Sequence, residues 1–349
     1  MDTISKEQFK IEFFKLLKDA KNVAVISHVS PDEDSIGSVL SVYEIVTEAV
    51  PSLSVRILQT GERIDRYAVF KNFEKIEFVS DVADEIKDID TLILLDAGQY
   101  YRISKFPDAI AQIPTKICID HHASTPDMFN LKYVDPTFSS ASELVYTLLV
   151  GDANLTPSLS RSIFLGILGD TGHFTYIKPE QSHIFSVVKT LVEKGNIAID
   201  EFSASYAKIS PTVFTVVQEL MKNTSYLEVA GWPACQYSFI PKMVVAEKKF
   251  SDNDISSGSA LYMAYFLRMV KDYDWGFVIT PRSTGDCRVS FRSLPKSVNV
   301  RDLTERMKIG GGHDRSAGSS FKKIDHDVDV EEALENIKMW MQSNAPLIQ

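Results

Sequence analysis

Residue types that bind metals follow several apolar segments in the first half of the sequence. The segment ICIDHHAST is an apolar run that ends on an acid and two adjacent histidines, Asp120, His121 and His122. Two earlier apolar runs end in the same way, one shortly before His28 and one at Asp96. Carboxylate and imidazole groups are ligands for divalent metals, so this pattern predicts a metal site.

Further acids stand where the chain turns into or out of a predicted helix, in SHVSPDEDSIGS and GILGDTGHF. The predicted ligands are His28, Asp32, Asp34, Asp96, His121 and Asp170. Four carboxylates are too acidic a set for one ion and indicate two divalent cations, with Asp96 as the bridge, about 3.5–4 Å apart. Without a thiolate the set favours Mn²⁺, with Mg²⁺, Co²⁺ or iron as alternatives.

Each motif taken alone has a purely structural explanation. PDEDSIG, for example, is also typical of a solvated turn and helix cap. It is not an EF-hand loop, because Ile36 and Tyr43 occupy positions that need oxygen ligands. Nor does it suit an aspartyl-phosphate phosphatase, because residues 28–31 separate the strand from Asp32.

The elements around these motifs predict a doubly wound α/β domain with a mostly parallel sheet. Four short apolar segments rich in β-branched residues read as buried parallel strands: Val23–Ile26, Val55–Leu58, Leu92–Leu95 and Lys116–Ile119. Helical patterns cover Ser35–Ala49, Ser140–Leu149, Leu159–Gly169 and Ser182–Glu193, and Ser140 with Glu143 forms a predicted capping box. Because parallel strands end at one edge of a sheet, the candidate ligands should converge there.

We predict three segments along the chain. Residues 1–199 form the metal-binding catalytic domain, 200–225 a helical linker, and 226–349 a smaller α/β substrate-binding domain with a mixed sheet. Strand patterns in the last segment cover Ala234–Ile240, Gly276–Thr280 and Arg288–Arg292.

Composition restricts the function classes. A net charge of −10 over 349 residues argues against a broad basic surface for long duplex nucleic acid, but allows a short anionic ligand. The three cysteines are far apart and indicate neither disulfides nor a zinc site. No apolar run is long enough to span a bilayer, and the first residues do not resemble a signal peptide, so a cytoplasmic protein without membrane partners is expected. A homodimer is compatible with the sequence.

In order and spacing, SHVSPDEDSIGS, LLDAG, DHHAS and GILGDTGHF resemble the motifs of the DHH phosphoesterase family. Later, CRVSFRS and GGGHDRSAG resemble the DHH-associated C-terminal domain. The resemblance runs over Val23–Val192 and Ser225–Ile324 and is greatest to the short two-domain members, of the nanoRNase or oligoribonuclease type. The family usually has Gly and Ala where this chain has Glu33 and Ser35.

The resemblance implies an active site in the cleft between the two domains, and it implies roles for individual residues. One Mn²⁺ would lie on His28, Asp32 and Asp96, and the second on Asp34, Asp96, His121 and Asp170. Asp120 would support the histidines, His122 would face the scissile phosphate, and Arg102 would orient the metal loop or the substrate.

The second domain carries a candidate anion site. Alternation along the strand RVSFR puts Arg288 and Arg292 on one face. The run Gly310, Gly311 and Gly312 is predicted as a loop whose backbone N–H groups can approach an anion. His313 follows directly, and the resemblance implies that Arg292 and His313 hold the non-scissile phosphate or the neighbouring nucleotide.

We consider three functions, of which we predict the first and keep the other two as alternatives. The first is hydrolysis of very short oligonucleotides or linear dinucleotides to nucleoside monophosphates. The second is removal of phosphate from 3′-phosphoadenosine 5′-phosphate (PAP). The third is a nucleotide-binding sensor without catalysis, which would not require carboxylates for a second cation. A pyrophosphatase is not favoured, because the C-terminal phosphate motif of the pyrophosphatases that share the first domain is absent.

Overall fold

A computed structural model describes residues 4–122, 128–323 and 325–348. Ala123 and Ser124 of the DHHAS motif, and Ile324 at the end of the resemblance, lie outside the described residues. The chain folds into two compact units, Met1–Lys208 and Ile209–Gln349. None of the helices in the described ranges is long and apolar enough to cross a membrane.

The first unit is built on a six-stranded parallel sheet with the order β3-β2-β1-β4-β5-β6. Its strands are β1 (Asn22–Ile26), β2 (Ser54–Thr60), β3 (Ile76–Val79), β4 (Thr91–Leu95), β5 (Thr115–Asp120) and β6 (Leu131–Val134). The four predicted strands are confirmed as β1, β2, β4 and β5. The sequence analysis did not detect β3 and β6, which form the two edges of the sheet.

Both faces of this sheet are covered by helices. They are α1 (Lys6–Asp19), α2 (Glu33–Ala49), α3 (Pro107–Ala111), α4 (Ala141–Val145), α5 (Pro157–Asp170), α6 (Ile184–Gly195) and α7 (Ile199–Tyr206). Val25 and Ile93 pack on the side of α2 and α5, while their neighbours Ala24 and Leu92 pack on the side of α3. Burial on both faces explains why the strands are apolar throughout, without a polar alternation. The predicted doubly wound fold is confirmed.

The start of α4 differs in one detail from the predicted capping box. The Ser140 hydroxyl accepts a hydrogen bond from the Glu143 N–H at 3.0 Å, as predicted. The Glu143 carboxylate, however, accepts from the N–H and the hydroxyl of Ser139, at 2.7 and 2.8 Å. The second hydrogen bond of the capping box, to the Glu143 carboxylate, therefore comes from Ser139 and not from Ser140. After Val145 the helix widens into a π-helical turn, Tyr146–Val150.

The second unit contains a mixed sheet with the order β11-β12-β10-β9-β8-β7, in which only β8 and β9 are parallel among the described pairs. Its strands are β7 (Ser225–Leu227), β8 (Cys235–Phe239), β9 (Trp275–Pro281), β10 (Cys287–Ser293), β11 (Gly310–His313) and β12 (Ser316–Phe321). Its helices are α8 (Pro211–Lys222), α9 (Lys242–Lys248), α10 (Asp252–Tyr265), α11 (Val300–Arg306) and α12 (Val330–Ser343). The predicted strands of this half are confirmed as β8, β9 and β10.

The glycine run was predicted as a loop, and that prediction was wrong: it forms the edge strand β11. A Cβ atom on Gly310 would lie 2.0 Å from the carbonyl oxygen of Gly318, so only glycine allows this approach to β12. Gly312 has a φ of +147°, which side chains rarely adopt. A Cβ on Gly311 would meet no described atom within 4 Å.

The segment predicted as a linker divides between the two units. Phe202 and Tyr206 of α7 belong to the core of the first unit, whereas Val216 and Leu220 of α8 pack with Ile255 in the second. Since α7 ends at Tyr206 and α8 begins at Pro211, the chain passes from one unit to the other within a few residues.

We predict that Phe202→Ala lowers the free energy of unfolding of the first unit by about 3–5 kcal/mol. The ring is buried against Phe164 at a centroid distance of 5.0 Å and against Phe70 at 5.6 Å, so its removal leaves a cavity. Phe214→Ala on α8 is the control, because this ring is 54% exposed. Urea denaturation measures both. Equal, small effects would show that α7 is not part of the core of the first unit.

Candidate metal centre

The predicted ligands meet at the carboxyl edge of the first sheet, around the position where β1 and β4 are neighbours. In such sheets the order of the strands reverses there, and the loops on either side diverge and leave a crevice for ligands. His28 follows β1, Asp96 follows β4 and His121 follows β5. Asp32 caps α2, and Asp170 is the last residue of α5.

The Asp96 carboxylate lies at the centre of the cluster, and each of its two oxygens faces a different set of side chains. Its Oδ2 is 3.3 Å from Nε2 of His28, which is itself 3.5 Å from Oδ2 of Asp32. Its Oδ1 is 3.5 Å from Nε2 of His121, and the same nitrogen is 3.0 Å from Oδ2 of Asp170. Among the described residues, the donor atoms form three overlapping groups that share this carboxylate: His28, Asp32 and Asp96; Asp34, Asp96, His121 and Asp170; and Asp96, His121 and His122.

Hydrogen bonds fix several of these side chains. Nδ1 of His28 lies 2.8 Å from the carbonyl oxygen of Val29, so Nε2 faces the carboxylates. The carbonyl oxygen of His28 accepts from the Gln59 amide at 2.6 Å, and the Ser27 hydroxyl donates to the other end of that amide at 2.7 Å. The Val29 N–H donates to the backbone carbonyl of Arg102 at 2.8 Å.

Asp34 is fully buried and lies at the start of α4. Its carboxylate accepts from the N–H groups of Ala141 and Ser142 at 2.6 and 2.9 Å. The positive end of a helix stabilises an anion, so α4 supports the charge of this carboxylate. The contact joins the loop after β1 to a helix more than a hundred residues later, and the sequence carried no signal for it.

Close packing of α2 on α5 brings Asp34 near Asp170. A Cβ atom on Gly166 would lie 2.5 Å from Oδ1 of Asp34, and one on Gly169 would lie 2.3 Å from Cβ of Glu33. Glycine at these two positions is therefore necessary for this approach of the two helices.

The other residues predicted near the scissile bond lie beside the cluster. Asp120 is fully buried at the end of β5, and its Oδ1 is 2.8 Å from Nδ1 of His122. That same ring nitrogen is 3.6 Å from Oδ1 of Asp96. The predicted anion-binding residues Arg288, Arg292, Gly310, Gly311, Gly312 and His313 belong to the second unit, on β10 and β11.

Protonation in the cluster reflects burial and crowded charge. Burial alone would lower the pKa of His28, but the hydrogen bonds and charges of Asp32 and Asp96 outweigh it and raise this pKa well above its usual value. Burial would also lower the pKa of His121, but the contacts with Asp170 and Asp96 outweigh it and raise this pKa well above its usual value. Burial and the charges of Asp170 and Asp96 raise the pKa of Asp34. The histidines lower the pKa of Asp96 despite its burial.

Two polar atoms at the centre of this cluster fit a role in metal binding. Oδ1 of Asp96 and Nε2 of His121 are buried, and neither makes a hydrogen bond of normal geometry among the described residues, despite the ion-pair distances of 3.0 and 3.5 Å at His121. Buried polar atoms without partners are rare and costly. Four carboxylates also carry a formal charge of −4, which two divalent cations would neutralise. The donor set therefore fits two such ions.

Two kinds of comparison identify relatives of this chain. The profile described as DHH family, N-terminal domain, matches residues 22–167. A bifunctional oligoribonuclease and PAP phosphatase NrnA from Thermus thermophilus is 25% identical over 321 residues, which are 90% of this chain and 89% of the relative. The resemblance to the DHH phosphoesterases seen in the motifs is thus confirmed.

Solved structures share the fold. An exopolyphosphatase-related protein from Bacteroides fragilis superposes with a TM-score of 0.81 at 22% identity, over 98% of both chains. RecJ from Thermus thermophilus, in complex with Mn²⁺, gives a TM-score of 0.52 at 11% identity, over 100% of this chain and 56% of RecJ.

We predict that Asp170→Asn stabilises the metal-free protein at pH 8 by about 1–3 kcal/mol and weakens binding of divalent cations. Burial, followed by the charges of Asp32 and Asp96, raises the pKa of Asp170 to about 6 from 3.8, although His121 opposes this shift. A carboxyl with a raised folded-state pKa destabilises the folded protein as pH rises from about 4 through about 6, where the folded state must release a proton that the unfolded state has already lost.

Urea denaturation in a chelator at pH 4.5 and pH 8 measures this effect, and repetition with Mn²⁺ measures the metal contribution. The variant should exceed the wild type in stability at pH 8 without metal and fall below it with metal. A variant that matches the wild type under both conditions would contradict the argument.

Proposed function

We propose that this DHH-family phosphoesterase uses two divalent cations to cut the terminal phosphodiester of very short oligonucleotides or linear dinucleotides and releases nucleoside monophosphates. The observation that carries the proposal is the orientation of Asp96, whose two carboxylate oxygens face two separate groups of donors. A sensor that only bound nucleotides would not need a second group of buried acids. The name of the Thermus relative supports the substrate class.

Mn²⁺ is the cation that we propose. Four carboxylates and two imidazoles without a thiolate suit Mn²⁺, and the RecJ neighbour was crystallised with it. His28, Asp32 and Asp96 would hold one ion, and Asp34, Asp96, His121 and Asp170 the other. When bound, such ions supply Lewis-acid stabilisation of the charge that develops on the phosphoryl group.

We assign proton transfer at the leaving oxygen to His122. The contact between its Nδ1 and Oδ1 of Asp120 orients the imidazole and fixes which nitrogen faces the carboxylate. Nε2 is then the atom that we expect to donate the proton to the leaving group. Asp120 is fully buried and sits on the rigid end of β5, so it can hold this orientation without moving.

We assign binding of the neighbouring phosphate or nucleotide to the second unit. On β10, Arg288 and Arg292 lie two register positions on either side of Ser290, on the same face of the sheet. Guanidinium groups bind phosphate through paired hydrogen bonds, which suits a short anionic substrate. The edge strand β11, with Gly311 open to approach, and His313 at its end would complete this surface.

Removal of phosphate from PAP is the second activity that we consider. The Thermus relative is named for both activities, and we propose that the single metal centre of this chain serves a phosphodiester and a phosphomonoester alike. Both reactions need the same charge stabilisation at phosphorus and differ in what the substrate-binding surface holds.

The substrate class can be tested with a panel of compounds and purified protein plus Mn²⁺. Two- to ten-nucleotide oligomers, PAP, pyrophosphate and cyclic dinucleotides are incubated separately, and the products are separated by chromatography. We expect the shortest oligomers to be cleaved fastest, with release of monophosphates. Pyrophosphate as the single good substrate would overturn the proposal.

We predict that His121→Ala lowers the hydrolysis rate by about 1,000-fold, equivalent to about 4 kcal/mol. The change removes a donor to the group that contains Asp34 and Asp170, so binding of the second cation should fail. His326→Ala is the matched control, since this histidine belongs to an exposed ion pair with Glu332 in the second unit. If both variants retain wild-type rates, the metal centre is not the catalytic site.

We predict that Arg292→Ala raises KM for a dinucleotide by about 10–100-fold, because a charge-assisted hydrogen bond contributes about 1.5–3 kcal/mol. Binding of Mn²⁺ should not change, because Arg292 lies on β10 and the ligands lie in the first unit. Lys242→Ala, which removes the cation of an exposed ion pair with Asp327, is the control. Steady-state kinetics and calorimetric metal titration separate the two effects, and an unchanged KM would refute the assignment.

A further inference from the structure

Ser35 connects two of the candidate ligands. It is fully buried in the first turn of α2, one residue after Asp34. Its backbone N–H donates to Oδ1 of Asp32 at 3.0 Å. Its hydroxyl donates to Oδ2 of Asp96 at 3.0 Å, across 61 residues of sequence. One small residue thus restrains carboxylates that belong to two different loops.

The hydroxyl of Ser35 differs in this respect from those of the other buried serines of α2. The Ser38 hydroxyl donates to the carbonyl of Ser35 at 3.2 Å, and the Ser41 hydroxyl donates to the carbonyl of Gly37 at 2.7 Å. Both contacts lie within the helix, as is common for serine in helices. The Ser35 hydroxyl instead leaves its own helix to contact the acid at the end of β4.

The Ser35 hydroxyl gives the Asp96 carboxylate a restraint that alanine, the residue usual at this position in the family, would not give. Rotation about its Cβ–Cγ bond is broad and shallow for an aspartate. A rotated carboxylate would no longer direct Oδ2 toward His28 and Oδ1 toward His121. The hydrogen bond from Ser35 acts on Oδ2 alone and so selects the orientation in which the two oxygens face different groups.

We propose that Ser35 is a positioning residue that holds the Asp96 carboxylate in its bridging orientation and so tightens the binding of two cations as a coupled pair. This inference rests on the proposed two-cation function. A donated hydrogen bond also withdraws some electron density from Oδ2, which by itself would weaken the oxygen as a ligand. Loss of outer contacts of this kind lowers metal affinity by about 10–100-fold in known sites, so orientation is the larger effect.

The test compares the wild type, Ser35→Ala and the matched control Ser41→Ala. Both variants remove one buried hydroxyl from the same helix, but only the first removes the contact to Asp96. Each metal-free protein is titrated with Mn²⁺ by calorimetry. Electron paramagnetic resonance then measures what fraction of the ions is magnetically coupled when two equivalents have been added.

We expect about 10-fold weaker binding of at least one ion in Ser35→Ala, together with a smaller coupled fraction and more signal from isolated Mn²⁺. Ser41→Ala should bind and couple like the wild type. A purely structural role for the Ser35 hydroxyl would change stability and leave the coupled spectrum of the bound ions unaltered. Circular dichroism verifies that the variants are folded.

The outcomes separate this inference from the proposed function. A Ser35→Ala variant that binds and couples Mn²⁺ like the wild type overturns the role of Ser35, while the two-cation proposal stands. The same loss of coupling in Ser41→Ala also overturns it, since the contact to Asp96 would then not be the cause. If the wild type binds no pair of cations, both the proposed function and this inference are refuted.

Discussion

The organisation of the first unit depends on four carboxylates that lie close together around Asp96, two of them buried. Asp34 and Asp96 are almost completely inaccessible to water, and Asp32 and Asp170 lie beside them. Like charges in a medium of low polarity repel strongly, and burial penalises each charge further. The protein offsets part of this repulsion with two imidazoles and with the N-terminal end of α4. Divalent cations would offset the rest, so the same feature that destabilises the metal-free fold provides the affinity for metal.

Such a cluster can persist only on a rigid support. The backbone of Asp96 is in the left-handed region, with a φ of 54°, a conformation that is uncommon for residues other than glycine. Its N–H is held by the carbonyl of Ile119 at 3.2 Å, so the turn is fixed to the neighbouring strand. Strain of this kind persists where the surrounding structure determines the conformation. The sheet and the packed helices α2 and α5 hold the backbone of Asp96 in this conformation.

The sequence predicted the parts of this arrangement that follow from local patterns. Apolar segments revealed the central strands, and because parallel strands end at one edge, the residues after β1, β4 and β5 could be assigned to a common site.

Edge strands β3 and β6 were missed, since β3 has exposed or half-exposed positions and β6 alternates between buried and half-buried residues. Contacts between segments that are distant in the sequence could not be predicted either. The hydrogen bonds of Asp34 to the start of α4, and of Ser35 to Asp96, depend on how helices pack and leave no periodic signal. The glycine run was read as a loop because glycine is common in turns, whereas here it allows a close approach between neighbouring strands.

The distribution of charge explains how an acidic chain can act on an anionic substrate. The net charge of −10 would repel a long polyanion from most of the surface, and a long polyanion needs many phosphate contacts. A short substrate needs only a few. Four of the acids are concentrated where cations would neutralise them, and arginines on β10 form a separate basic face in the second unit. Local counter-charge of this kind suits a short anionic ligand, so the overall charge of the chain does not prevent its binding. Under the proposed function, the same charge would disfavour substrates long enough to contact the acidic surface.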